Sequence, residues 1–225
     1  NAAGCALVGG HTAEGAELAL GFAVNGLADV ELTGVTRKSG MRPGDALVLT
    51  KPIGTGTLFA ALPIGKARGR WIDSALTSMM VSNEQAAHIL RTHGAGACTD
   101  LTGFGLLGHL VEMTRSSGVD AEIDLHQLPL LDGALQCVQQ GTVSSLHAAN
   151  TRLRSALRNA AEMADQPRYP LIFDPQTAGG LLASVPADRA TDCLVALREA
   201  GYSHAAIIGR VLPKSDAPEP VVLVA

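Results

Sequence analysis

The stretch Gly94 to Leu110, reading G-A-G-A-C-T-D-L-T-G-F-G-L-L-G-H-L, constrains this chain more than any other. A run of small residues leads to a lone carboxylate, Asp100, then a turn-prone T-G-F-G, then apolar residues at helical intervals. That order predicts a strand, a glycine turn and a helix, the repeating unit of an α/β fold. A single acid at such a junction suits a hard cation and the phosphates attached to it. Mg²⁺ takes only one or two protein carboxylates and leaves the rest of its shell to phosphate and water. The same position also suits a plain helix N-cap. The local residues leave both readings open.

The rest of the chain continues the alternation. Apolar runs predict strands at 46–50, 119–125, 181–185, 205–211 and 221–224. Helices are expected at 54–61, 106–116 and 187–200, with a short one inside 128–141. Another spans 71–92, where Ile72, Leu76, Met79, Met80, Ala86, Ala87 and Leu90 fall at helical spacing. Gly118 and Gly201 are placed to end helices. Residues 151–164 read as a basic amphipathic segment. Toward the front, Ala6 to Thr12 ends a short apolar strand in a glycine turn, and Glu17 to Gly26 reads as a second strand. The polar stretch 27–40 and S-G-M-R-P-G-D put a domain boundary near residue 40. The units expected are therefore 1–40 and 41–225.

Composition narrows the function classes. Hydrophobic residues make up 47% of the 225 but aromatics only 3%, so the core must be aliphatic. A formal net charge of −4 with scattered Lys and Arg gives no footprint for nucleic acid. There is no run of 18 or more apolar residues and no basic-then-apolar leader, so neither a membrane span nor a signal peptide is expected. Cys5, Cys98, Cys137 and Cys193 form no C-x-x-C pair, which favours buried, reduced thiols in a cytoplasmic protein.

Individual candidates admit two readings each. Gly9-Gly10-His11 is either an ordinary turn or bare backbone that lets N–H groups approach phosphate closely. Lys51 precedes Pro52-Ile53-Gly54-Thr55-Gly56, but the G-x-x-x-x-G-K-[ST] spacing of a phosphate loop is absent, so the end of a strand is the expected role. Asp174-Pro175 is a turn initiator. His109 lies among Leu106, Leu107, Leu110 and Val111 and is expected to be a hydrogen-bonded core histidine. The other histidines lack H-E-x-x-H spacing, so zinc is not expected.

Four motifs occur in order: Gly9-Gly10-His11-Thr12 leading into E-L-A-L-G-F-A-V-N-G, L-T-K-P-I-G-T-G at 49–56, T-D-L-T-G-F-G-L-L-G-H-L at 99–110, and D-P-Q-T-A-G-G-L-L at 174–182. Together they resemble the selenophosphate synthetases (selenide, water dikinases) along nearly the whole chain. The front of that family's protein has no counterpart here, including its reactive Cys or selenocysteine, a nearby Lys and most metal-binding Asp residues.

The resemblance implies a two-domain α/β (α+β) build shared with aminoimidazole ribonucleotide synthetase. Residues 1–40 would be the last strands of an N-terminal ATP-binding domain that pairs in a homodimer. Residues 41–225 would be the C-terminal domain, a mixed sheet flanked by helices. It further implies conversion of ATP, selenide and water to selenophosphate, AMP and phosphate, with Mg²⁺ on the polyphosphate. Asp100 then matches a metal ligand, and Gly9, Gly10 and His11 lie by the nucleotide. No catalytic residue falls within this stretch, which should be inactive alone. Asn83 and Asn150 match family positions without an assigned role. Two alternatives stand beside this: a thiamine-phosphate kinase or amidine synthetase of the same superfamily, and a non-catalytic assembly or regulatory domain.

Overall fold

A computed structural model describes residues 4–32 and 34–225, which fall into two units, Asn1–Val35 and Thr36–Ala225. The described residues of the first unit form no helix or strand. The strands expected at 6–12 and 17–26 are therefore not formed. Leu18, Leu20, Phe22 and Val24 do alternate as a strand would, yet all are exposed. Alternation alone does not make a strand, which needs a neighbouring edge to receive its N–H and C=O groups.

The second unit is built on a six-stranded sheet in the order β2-β4-β1-β5-β3-β6. Its strands are β1 (Ala46–Leu49), β2 (Ala97–Asp100), β3 (Asp120–Asp124), β4 (Leu181–Val185), β5 (Ala206–Leu212) and β6 (Val221–Val224). All pairings are antiparallel except the parallel β3–β6 pair, which makes the sheet mixed. Its helices are α1 (Thr55–Ala61), α2 (Gly69–Met80), α3 (Glu84–Thr92), α4 (Gly105–Ser117), α5 (Ala134–Gln139), α6 (His147–Asn150), α7 (Ala160–Met163) and α8 (Ala187–Glu199).

Both faces of the sheet are covered, and the sequence of β1 shows why. Successive strand side chains point to opposite faces, so a run apolar throughout, A-L-V-L, must be buried on both. Leu47 and Leu49 enter a core with Leu58, Trp71, Leu106, Leu110 and Phe173. Ala46 and Val48 enter a second core with Ala86 and Leu90 of α3 and Cys193 and Leu197 of α8. Where β5 crosses β3, Gly209 lies against the backbone of Glu122 so closely that a Cβ would overlap its carbonyl. The outer edge of β2 is capped as well: the Cys98 N–H donates to Arg37 O at 2.9 Å.

Helix expectations hold where glycine punctuates the chain. Gly118 ends α4 at φ 68° and ψ 36°, the left-handed conformation that glycine adopts cheaply. They fail at 71–92, which is two helices broken at Val81, extended at ψ 120°. Leu76 and Met80 are consequently exposed, and Trp71, Ile72 and Ala75 form the buried stripe. Residues 151–164, the basic amphipathic segment, are a 3₁₀ turn, Thr151–Ala156, followed by α7. Of the cysteines, Cys137 and Cys193 are buried and Cys98 is half-buried, but Cys5 is exposed because the chain around it packs into no core. None forms a disulfide.

Candidate functional site

Two of the sequence motifs, far apart in the chain, lie side by side. In the register of β2 on β4, Asp100 stands opposite Leu181, so T-D-L-T-G-F-G leaves the sheet beside the end of D-P-Q-T-A-G-G. Backbone bonds stitch the two together: Leu101 N–H donates to Gly180 O at 2.9 Å and Gln176 N–H to Thr102 O at 2.9 Å. The glycines are there because nothing larger fits. A Cβ on Gly105 would stand 2.9 Å from the Phe173 carbonyl carbon, one on Gly180 2.6 Å from Lys51 N, and one on Gly179 would overlap Leu101 O.

Side chains from elsewhere then tie the junction down. Asn150 Nδ2 donates to Gly103 O in the first motif at 2.8 Å and to O of Phe173, the residue just before the second, at 3.0 Å. Asn83 Nδ2 donates to Gly179 O at 2.9 Å, while its Oδ1 is buried with no protein partner among the described residues. Lys51 Nζ donates to Ala178 O at 3.2 Å and to Val81 O at 2.5 Å. Ala178 has φ 48°, unusual for a residue with a Cβ and sustained only where surrounding contacts over-determine it. Gln176 Oε1 accepts from the Gly54 and Thr55 N–H groups at 3.0 and 3.3 Å, closing L-T-K-P-I-G-T-G onto the same loop.

Asp174 lies beneath this loop, fully buried. Thr57 Oγ1 donates to its Oδ1 at 2.8 Å and Gln176 Nε2 to its Oδ2 at 3.0 Å. Burial pushes its carboxyl up to about 6, and these hydrogen bonds offset only part of that. Its expected structural use is what the contacts describe. Lys51, expected to end a strand, lies two residues past the end of β1 and is itself buried. His109 is a core histidine as expected: its Nε2 accepts the Thr102 N–H at 3.1 Å, folding the turn back onto α4. Burial lowers its pKa.

Asp100 differs from all of these. It is the last residue of β2 and exposed, and no hydrogen bond or ion pair engages its carboxylate among the described residues. It does not cap α4, whose N-cap is Phe104 with no side-chain bond, so the N-cap reading is set aside. The carboxylate raises the Cys98 thiol behind it, which burial has already pushed up, to about 12; that thiol is inert. Among the described residues no cluster of three or more His, Cys, Asp or Glu is placed to hold a metal. Asp100 thus fits as one ligand of a hard cation and cannot hold the ion alone.

Gly9, Gly10 and His11 belong to the first unit, where all three are exposed. Neither glycine has positive φ, and a Cβ on either would meet nothing within 4 Å. Their backbone N–H groups are open to approach. Beside the Asp100 turn, a cleft of about 480 Å³ is lined by Gly56, Phe59, Gly103, Leu146, Pro175 and Thr177, joining three of the motifs.

A mixed sheet covered by helices on both faces, with a glycine-tight junction leaving one free carboxylate at a strand end, defines the class. The chain belongs to the family described as AIR synthase related protein, C-terminal domain, which matches residues 42–217. Its similarity runs further, to proteins named selenide, water dikinase. That of Geobacter metallireducens is 41% identical over 214 residues, covering 95% of this chain and 61% of the relative. That of Trichlorobacter lovleyi is 39% identical over 226 residues, covering 99% and 63%. The chain thus spans a little over three-fifths of the length of these relatives. Among solved structures, hydrogenase maturation protein HypE of E. coli matches with a TM-score of 0.60 at 20% identity, over 84% of this chain and 49% of that one. Thiamine monophosphate kinase from Aquifex aeolicus matches with 0.51 at 17%, over 84% and 52%. At such identities these two show the fold alone.

Proposed function

We propose that the chain is the C-terminal portion of a selenophosphate synthetase, which converts ATP, selenide and water to selenophosphate, AMP and phosphate. The observation that supports this most is 41% identity to a selenide, water dikinase across 95% of the chain. In this reading residues 1–40 are the tail of a nucleotide-binding domain that pairs in a homodimer, and 41–225 are the second domain of a cytoplasmic enzyme. The groups that perform the chemistry lie in the part of the protein that precedes this stretch.

Asp100, whose carboxylate is engaged by no other group among the described residues, would supply one ligand to Mg²⁺. Bound Mg²⁺ would neutralise polyphosphate charge, the main demand of phosphoryl transfer. The buried Leu101, the Thr102–His109 hydrogen bond and the Asn150 tether fix the strand end, so the backbone that carries Asp100 is held in place before the ligand arrives. Backbone N–H groups of Gly9 and Gly10, with His11, approach the nucleotide phosphates.

The test is ³¹P NMR of the full-length protein incubated anaerobically with ATP, Mg²⁺ and selenide. A selenide-dependent phosphorus signal with AMP is expected. ADP formed without selenide dependence would point to a kinase of the same fold, and no turnover to an assembly or regulatory domain. Asp100→Asn in that protein should lower Mg²⁺-dependent turnover by orders of magnitude at an unchanged melting temperature. Near-normal turnover would remove Asp100 from the metal site.

A further inference from the structure

Lys51 poses a problem that tethering Ala178 does not solve. Its side chain is buried, yet no carboxylate lies within ion-pair distance of Nζ among the described residues, and two carbonyls take only two of its three N–H groups. A buried ammonium without a counter-charge is costly, and burial accordingly lowers its pKa.

The same lysine lines a cleft of about 160 Å³, formed with the second half of α2 and the turn between α8 and β5. The other polar side chains there include Ser74, Thr77, Ser78, Ser203 and His204, and no hydrogen bond within the protein engages any of these five among the described residues. Tyr202, also in the wall, is already committed: its hydroxyl donates to Ser82 O at 2.7 Å. No Asp or Glu lines the cleft, although the chain as a whole carries a net charge of −4.

We propose that this cleft binds a small tetrahedral oxyanion of the phosphate class, with Lys51 as its counter-charge and the α2 hydroxyls, Ser203 and His204 as its hydrogen-bond donors. A phosphate oxygen is an acceptor only, and the unused groups of the cleft are an ammonium N–H, four hydroxyls and an imidazole, all able to donate. The volume lies well below the roughly 300 Å³ at which sites for larger small molecules begin, which favours a free oxyanion over a nucleotide. The cleft is distinct from Asp100, and the proposal stands whichever reaction the protein catalyses.

The experiment is titration of the full-length protein with inorganic phosphate at constant ionic strength, followed by calorimetry and by melting temperature. Saturable binding with a rise in melting temperature is expected. Glycerol phosphate, run in parallel, should bind more weakly if the free oxyanion is the ligand; tighter binding that His204→Glu abolishes would reassign the occupant and overturn the free-oxyanion proposal. Lys51→Met should weaken phosphate binding by about tenfold or more, consistent with the loss of one charge-assisted contact. Because Lys51 also tethers Ala178, His204→Glu serves as the second variant: it lies at the exposed rim, leaves the core untouched and should abolish binding by charge repulsion. Asp100→Asn should leave the binding intact. Absence of saturable binding, or binding lost with Asp100→Asn and retained with His204→Glu, would overturn the proposal.

Discussion

Two fully buried aspartates, Asp120 at the start of β3 and Asp174 under the motif loop, have been given opposite solutions to the same problem. Asp120 is surrounded by charge and donors. Arg158 and Lys214 pair with it, the latter at 3.0 Å, and the Ser215 N–H donates at 2.7 Å. Burial pushes its carboxyl up, but these partners together hold it below the usual carboxylate range. Asp174 is equally buried and has hydroxyl and amide donors but no cation, and its carboxyl rises to about 6. The first arrangement latches the closing loop onto the sheet. The second leaves charge unneutralised beneath the candidate site, which is where proteins tolerate such a cost.

That contrast breaks most visibly at Asp120. Asp120→Asn removes the carboxylate that two partly exposed cations share and should cost about 3 kcal/mol at neutral pH, the lower end for a broken buried pair, measured by urea unfolding. Because its folded pKa is depressed, the stability it gives is present above the ordinary 3.8 and is lost as pH falls through the folded value. The gap between wild type and variant should therefore close in acid. A gap that persisted at low pH would mean the ion pairs contribute little.

Asp174→Asn should act in the other direction. A carboxyl at about 6 in place of 3.8 makes its ionised form about 3 kcal/mol less favourable in the fold than in the unfolded chain. Wild type thus loses stability as pH rises from about 4 to about 6 and is level above. The variant should be the more stable by up to about 3 kcal/mol at pH 7 and equal to wild type near pH 3. His109 works against this in wild type and variant alike, since its lowered pKa removes stability as pH falls below 6.5. The difference between the two proteins is therefore the quantity to follow. A destabilised Asp174→Asn at pH 7 would show that the ionised group is needed for packing.

A finer comparison sets glycines of equal conformation in the two regions. Gly118, φ +68°, has open space around it, and Gly118→Ala should cost only the left-handed penalty of about 1 kcal/mol. Gly105, φ +69°, faces Phe173 and Asp174 backbone, so Gly105→Ala should cost about 2 kcal/mol more. Equal losses in thermal denaturation would mean the motif junction yields easily.

What the sequence disclosed follows the same division. The turn at Gly118, the all-apolar β1 and the helix after Asp100 are written in neighbouring residues and were legible. The break at Val81 carries no Gly or Pro and was not. The roles of Asn83 and Asn150 were illegible for a different reason: their partners, Gly179, Gly103 and Phe173, are far away in the chain, and no local pattern announces a carbonyl brought in by the sheet. Asp100 stood out because it is a lone acid in a run of small residues. Glu17 to Gly26 misled because alternation describes a strand's faces and says nothing about whether a partner is present.

The placing of β1 at the centre of the sheet has a kinetic consequence. It comes first in the chain among the strands of this sheet, yet its neighbours are β4 and β5, and the Thr50 hydroxyl that anchors its end accepts from Leu181. During synthesis A-L-V-L must therefore wait, unpaired and apolar, until β4 and β5 have emerged. Late closure of such distant pairings makes folding slow and leaves the nascent chain open to misassociation. A truncation that removes only β5 and β6 would strip one side of β1, and its effect would be felt at the centre of the sheet and not at its margin.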